Sequence, residues 1–384
     1  MWLDSAAADE RQRFDILVAD PYVTLRTRGA VTEIAKRGAA ARESQRPPFE
    51  LVREQLGDLG AGAPGLPFSG GAVGYFGNGR DARTFADWPR LVARLCADPP
   101  PPPAPFRVRA GPVSNLDRDA YAAAFHAVQE HIRRGDCYQV NLTQRFEAEA
   151  DGDAWHAYLR LREINPAPFA AYLDLPDGKV VCSSPERFLR LRDGHVETKP
   201  IKGTRPRSQD HERDRALAEE LRTSAKDRAE NVMIVDLLRN DLGKCCVPGS
   251  VRASKLFDVE SFASVHQLVS TVEGRLAKDM HALDLVAACF PGGSITGAPK
   301  VAAMKIIEEL EPQRRSVYCG SIGYVGFDGN MDTNIAIRTL VQQGSRVYTW
   351  AGGGVVADSK VDAEYQESLD KAAAMLAVMN AAAD

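Results

Sequence analysis

The sequence predicts an α+β architecture with antiparallel sheets, and three observations lead there. Strand-like segments come in groups between helices, without the strict alternation that builds a parallel sheet. A well-marked amphipathic helix follows a proline-rich stretch. A segment of alternating character, YQVNLTQRF at 138–146, follows that helix at once.

Taken in chain order, the first landmark is the stretch 98–106, where Pro99 to Pro103 run unbroken. Such a run favours extended polyproline II geometry and acts as a stiff spacer. It divides a Gly/Ala-rich N-terminal region, 1–106, from a longer region, 107–384, with more regular patterning. A surface loop inside one domain fits the same run. The helix beyond it can be capped by Asp117 or Ser114, carries Tyr121, Phe125, Val128 and Ile132 on one face, and has Gly135 as its stop. Further strands are expected at 170–173, 180–182, 317–325, 331–340 and 346–351. Helices are expected at 210–223, 227–240, 281–288, 300–310 and 361–383. No internal repeat is evident.

Composition narrows the function classes. The chain has 384 residues, 44% of them apolar and 26% charged, as in ordinary globular proteins. A chain this long buries enough apolar surface to fold without disulfide or metal staples. A net charge of −4 gives no basic field for nucleic acid. The seven cysteines show no C-x-x-C spacing, which suggests neither a zinc site nor a disulfide framework and fits a reduced cytoplasm. Asp4, Asp9 and Glu10 near the start do not suit a signal peptide. No run approaches the roughly 18 apolar residues of a membrane span.

Four motifs carry candidate chemistry. Asp227 and Glu230 lie three apart at the start of an expected helix, and Glu364 and Glu367 repeat the spacing in another. Each pair therefore shares a helical face. Four carboxylates without histidine or thiolate suit a hard cation, usually magnesium; Asp-x-x-Glu before an apolar run is equally a helix-capping signal. The glycine-rich turns PGGSITGAPK (291–300) and AGGGVV (351–356) offer backbone amides to an anion, or are simply turns. KPIKGTRPR (199–207) gathers four cations about a constrained turn. It reads as a solvated basic loop, or as a setting in which neighbouring cations help Lys202 lose its proton and act as a nucleophile. In SSPERF (183–188), Glu186 follows a proline near a strand end, where it is either aimed into a cleft or on the surface.

Together with GDCYQVNLTQRF, KDRAENVMIVDLLRNDLGK, FASVHQLVSTVEG, FPGGSITGAPKVAAMKIIEELEP and RRSVYCGSIGYVGFDGNMDTNIAIRT, these segments resemble the chorismate-utilising enzymes, most closely the aminodeoxychorismate synthases. The matching segments run in order from about residue 110 to the C-terminus. The resemblance implies a sandwich of two large antiparallel sheets with helices outside. It implies magnesium held by Glu230 and Glu367, with Asp227 and Glu364 close by, gripping the ring carboxylate of chorismate. Arg338 and Tyr318 match residues that bind the enolpyruvyl carboxylate, and Gly352 and Gly354 match positions whose amides face the substrate. Gly203, Thr204 and Ser294 match ring-carboxylate contacts, and His266 matches a histidine near the ring.

Lys202 separates the branches of this family. Anthranilate synthases carry a small residue there; the aminodeoxychorismate synthases carry a lysine whose amine attacks ring C2. Glu186 matches the general acid–base that protonates the departing hydroxyl. Gln139 replaces the lysine that activates water in isochorismate and salicylate synthases, which leaves ammonia as the nucleophile. The expected activity is amination of chorismate to 4-amino-4-deoxychorismate for folate synthesis, in the cytoplasm, with ammonia from a separate glutamine amidotransferase subunit. Anthranilate synthase component I and an inactive partner subunit are the alternatives. The segment 67–81 resembles the family, whereas the stretch from Ala82 to the proline run is short and matches poorly. Leu3–Ser5 faintly echoes a segment that binds regulatory tryptophan in relatives.

Overall fold

The computed structural model describes residues 1–4, 15–19, 21–57, 60, 68, 71–76, 103–262 and 265–380. Two large antiparallel sheets form the body. One has nine strands and is centred on Gln139–Asp151, which pairs along its length with Arg346–Val355. The other has eight strands and is centred on Val265–Arg275. A separate three-stranded meander, Val23–Arg28, Val31–Lys36 and Arg42–Ser44, packs against the helix Pro48–Leu56.

The main core lies between the large sheets. Leu173, Val180, Val341 and Trp350 from one meet Phe188, Leu191, Val272 and Met331 from the other. Outside the first sheet, the helices Ala154–Ile164 and Val361–Met379 bury Tyr158, Leu161, Met375 and Val378 against Phe146, Val181 and Val347. Deleting one such side chain costs roughly 2–5 kcal/mol. The helix Arg118–Arg134 forms as its periodicity requires: the Asp117 side chain accepts from Ala120 N, and Gly135 closes it in the left-handed conformation.

The N-terminal residues take part in both sheets. Trp2–Asp4 pairs with Phe169–Leu175, and Gly71–Phe76 pairs with Ser321–Gly326. Asp4 is buried and accepts from Tyr158 Oη and Arg162 Nε. Most of the proline run and the segment 77–102 lie outside the described residues, as does Ser5. Among the described residues no helix is long and apolar enough to cross a membrane, and all six described cysteines are buried and free.

Three expectations need correction. The expected strand 331–340 is two strands: Met331–Asn334 belongs to the second sheet and Thr339–Gln343 to the first. The expected strand 317–325 starts only at Ser321, because 317–320 form a turn. The basic stretch at 199–207 contains a bulged strand, Ile201–Pro206, whose register on Val265–Arg275 shifts between Ile201 and Thr204.

Candidate active site

The chain crosses between the sheets at two neighbouring places, and each crossing presents a site residue. At the first, Ser184 Oγ donates to Ile335 O (2.6 Å) and receives Glu186 N (3.2 Å), which fixes the turn after Pro185. At the second, Ile335 N donates to Glu186 O (3.0 Å) and Ser183 N to Arg338 O (3.0 Å), tying the crossings together. Arg338 adopts φ +49°, left-handed backbone that a non-glycine residue enters at a cost of about 1–3 kcal/mol. Such strain is retained where surrounding structure enforces it, often at functional sites.

Glu186 is 6% exposed and accepts from Ser294 Oγ at 2.7 Å. Burial pushes its carboxyl above the ordinary range, against the pull of Ser294, Lys202 and Lys371. It is thus suited to carry a proton into neutral pH.

Lys202 sits on the bulge. Gly203, beside it, has φ +80°, and a Cβ there would stand 2.8 Å from the Asp227 carboxyl carbon and from Leu221 Cδ1. Only glycine lets this strand approach the helix Ala225–Gly243 so closely. Lys202 Nζ makes no hydrogen bond or ion pair among the described residues. Burial lowers its pKa; Lys371 lowers it further, while Glu230, Glu186 and Glu367 oppose the shift. An amine with acids around it but none bonded to it is free to be presented to a ligand.

Three of the four expected metal ligands gather on the helices. Glu230 and Glu364 share Lys226 between them, at 3.8 and 3.9 Å. Glu364 Oε1 accepts from Ser359 (2.7 Å), but its buried Oε2 has no partner. Glu367 pairs with Lys371 at 2.7 Å. Burial raises the pKa of Glu230 and of Glu364, with Glu367 adding to both. Burial acts the same way on Glu367, but its bond to Lys371 brings the net shift down. Asp227 is differently engaged: it accepts from Arg205 Nη2 at 3.2 Å. The capping signal in this segment is real but belongs to Ser224, whose Oγ receives Asp227 N. Oxygen-only donors and the orphaned Oε2 fit magnesium in chemical type. Among the described residues no three such side chains form a ready metal cage; Lys226 stands between Glu230 and Glu364, and Lys371 is paired to Glu367.

The glycines at 352–354 press the strand against its neighbours. A Cβ on Gly353 would meet Glu364 Oε2 at 2.9 Å and Glu367 Oε1 at 3.4 Å, so Gly353 is the one that faces the acids. Gly354 packs on the Gln139 side chain, and Gly352 O accepts from Lys371 Nζ at 3.1 Å. Gln139 is fully buried with neither amide atom partnered. Such a group calls for a hydrogen-bonding ligand. Tyr318 is buried against Trp350, ring centroids 6.2 Å apart, and burial pushes its hydroxyl well above its usual pKa. Arg338 is half-buried, its pKa lowered by burial with no acid to offset it, and its guanidinium donates to Asn165 Oδ1 (3.2 Å). A guanidinium without a carboxylate is a natural seat for a planar anion.

His266 stands apart from this group. Its Nδ1 meets Ser261 Oγ (2.8 Å) and its Nε2 meets Asp214 Oδ1 (3.0 Å). Asp214 is held ionised mainly by Arg207. Both ring nitrogens of this buried histidine are therefore committed to the network of Ser261, Asp214 and Arg207. Successive side chains on a strand point to opposite faces, so Gln267 projects the other way; it pairs in register with Thr204, and its buried Oε1 has no partner. Sequence reasoning missed Gln267, Lys226 and Lys371. The i, i+4 spacing of Glu367 and Lys371 was a usable signal, as was the strand alternation at 266–267. Nothing local marked Asn165.

Residues 71–377 match the model of the chorismate binding enzyme family. Aminodeoxychorismate synthase component 1 of Salmonella typhimurium LT2 is 48% identical over 94% of this chain and 88% of its own length. The protein of the same name from Escherichia coli K12 is 45% identical, over 97% and 91%. Anthranilate synthase component I from Streptococcus pneumoniae, a solved structure, superposes with a TM-score of 0.81 at 28% identity, covering 94% of this chain and 91% of that one. The chain belongs to the chorismate binding enzymes.

Proposed function

We propose that the chain is the chorismate-aminating component of an aminodeoxychorismate synthase, a transferase that replaces the C4 hydroxyl of chorismate with an amino group. The observation that carries this reading is Lys202, an unbonded amine in the company of Glu186, Glu230, Glu367 and Lys371. The relatives' shared name, component 1, supports a second component, which we take to be a glutamine amidotransferase that supplies ammonia. Buried free cysteines support a reduced cytoplasmic setting.

The chemistry follows from proton placement. Burial favours the neutral Lys202 amine, which attacks ring C2 while the double bond shifts and the C4 hydroxyl leaves. Glu186 gives that hydroxyl its proton, so it departs as water. Ammonia then adds at C4, the double bond shifts back, and the lysine, still protonated as an ammonium on C2, leaves as a neutral amine; the new C4 ammonium passes its extra proton to Glu186, which restores both groups. Arg338 and Tyr318 hold the enolpyruvyl carboxylate; Gly203, Thr204 and Ser294 line the ring carboxylate. Magnesium, when bound, supplies a Lewis acid and a template for that carboxylate. Glu230, Glu364 and Glu367 would hold it, with Lys226 and Lys371 moving aside. Gln139, having no basic group, favours ammonia over activated water as the nucleophile.

Purified protein given chorismate, magnesium and ammonium is expected to form 4-amino-4-deoxychorismate. Anthranilate and pyruvate as products would refute the reading.

A further inference from the structure

Arg315 lies in the turn after the helix Lys300–Leu310 and touches no proposed substrate-binding atom. Its guanidinium has five N–H groups, and the geometry gives each an acceptor. Nε and Nη2 fork onto Glu311 at 2.9 and 2.6 Å. Nη1 donates to Ile295 O (2.8 Å) and Cys319 Sγ (3.5 Å), and Nη2 also donates to Asn141 O (2.5 Å). Glu311 Oε1 in turn receives Thr143 N at 2.9 Å. The pair is buried, at 12% and 4% exposure.

These contacts reach three different pieces of the site. Ile295 follows Ser294, the donor to Glu186. Asn141 and Thr143 lie directly opposite Gly354 and Gly352. Cys319 follows Tyr318, whose backbone N–H donates to Arg315 O at 2.9 Å. The short strand Gly297–Ala298 pairs with Val140 and Gln139 and then ends. Beyond it, the side chains of Glu311 and Arg315 bond Thr143 N and Asn141 O, as a neighbouring strand would.

We infer that Arg315 is a positioning residue for the amination: it sets the Ser294 loop against Glu186 and so aims the proton donor. The inference rests on the acid–base reading of Glu186. A lysine cannot reproduce the fork, since it offers a point charge and not a planar set of donors. Arg315→Lys is therefore expected to keep the fold but displace the loop, and a misplacement near 1 Å costs about 10²-fold.

The test is a double-mutant cycle with Ser294→Ala, measured as kcat and chorismate KM with ammonium as nitrogen source. Circular dichroism fixes the folded fraction, and Glu311→Gln, nearly isosteric, serves if Arg315→Lys does not fold. The expected result is a kcat loss of about 10²-fold in Arg315→Lys with KM changed less than about threefold. Adding Ser294→Ala to it should then cost little more, because the two act through one contact. Additive losses, or a kcat per folded molecule equal to that of the unaltered protein, would overturn the proposal and leave Glu186 standing. If Ser294→Ala alone is silent, this proposal falls. Glu186→Gln then tests the acid–base reading by itself.

Discussion

The helix Ala225–Gly243 carries an acid–lysine cluster at each end, and the two are built in opposite ways. At the C-terminal end Asp241 is 2% exposed and receives Lys300 Nζ at 2.6 Å and Lys244 Nζ at 2.7 Å. Lys300 donates further to Cys289 O at 2.7 Å. Both carboxylate oxygens are bonded. At the N-terminal end Glu230 meets Lys226 only at 3.8 Å, and Lys202 has no bonded partner among the described residues. Burial there shifts both groups toward their neutral forms. The same residue types thus make a joint at one end, where both carboxylate oxygens are taken, and an open cluster at the other, where charge is left for a ligand. Unsatisfied, pKa-shifted groups in company mark function more reliably than ion pairs do.

Substitutions at the two ends should therefore separate activity from stability. The largest effect belongs to Lys202→Ala, which should lower the ammonium-dependent rate by at least about 10³-fold while the protein stays folded. Full retention of rate would place Lys202 with the joints. Asp241→Ala, at the other end, should cost about 3–5 kcal/mol of stability in denaturant melts because it strands the largely buried Lys300. The rate per folded molecule should hold; a comparable loss of rate would erase the contrast.

Glu186→Gln should cost about 10²–10⁴-fold in kcat. The pH profile of kcat/KM should be bell-shaped. As pH falls, Lys202 is protonated and inert; as pH rises, Glu186 loses the proton it must donate. Because burial lowers the lysine and raises the glutamate, the two limbs approach each other and belong to the coupled pair. A flat profile would contradict the assignment. The smallest effect is on stability: Lys202→Met should raise the unfolding free energy by about 1 kcal/mol, since it replaces an amine whose buried, unpaired setting the fold disfavours. A loss of stability would show that Lys202 is a joint after all.

Much of this was legible from the residues. The helix from Arg118 announced itself by its period and its caps, and the helix Lys300–Leu310 by the proline that opens it. The acid pairs were visible because i, i+3 spacing is a local signal. What failed was non-local. Met331 to Leu340 is apolar enough for one strand, but nothing in its pattern shows that the chain changes sheets near Arg338. The bulge at Lys202 was hidden for a related reason: KPIKGTRPR looks like a turn until Val265–Arg275 supplies its partner. His266 and Gln267 differ only by strand parity, which sequence fixes once the partner is known. Lys371 was overlooked because a lysine four residues from a glutamate on a helix is usually a surface pair.

If Lys202 bonds covalently to chorismate, the adduct can be trapped. The direct measurement is a rapid quench of enzyme, magnesium and chorismate without ammonium, followed by digestion and mass spectrometry. The peptide bearing Lys202 should gain the mass of chorismate less one water, and added ammonium should discharge it to 4-amino-4-deoxychorismate. An unmodified Lys202 peptide in enzyme that turns over normally once ammonium is added would contradict that bond.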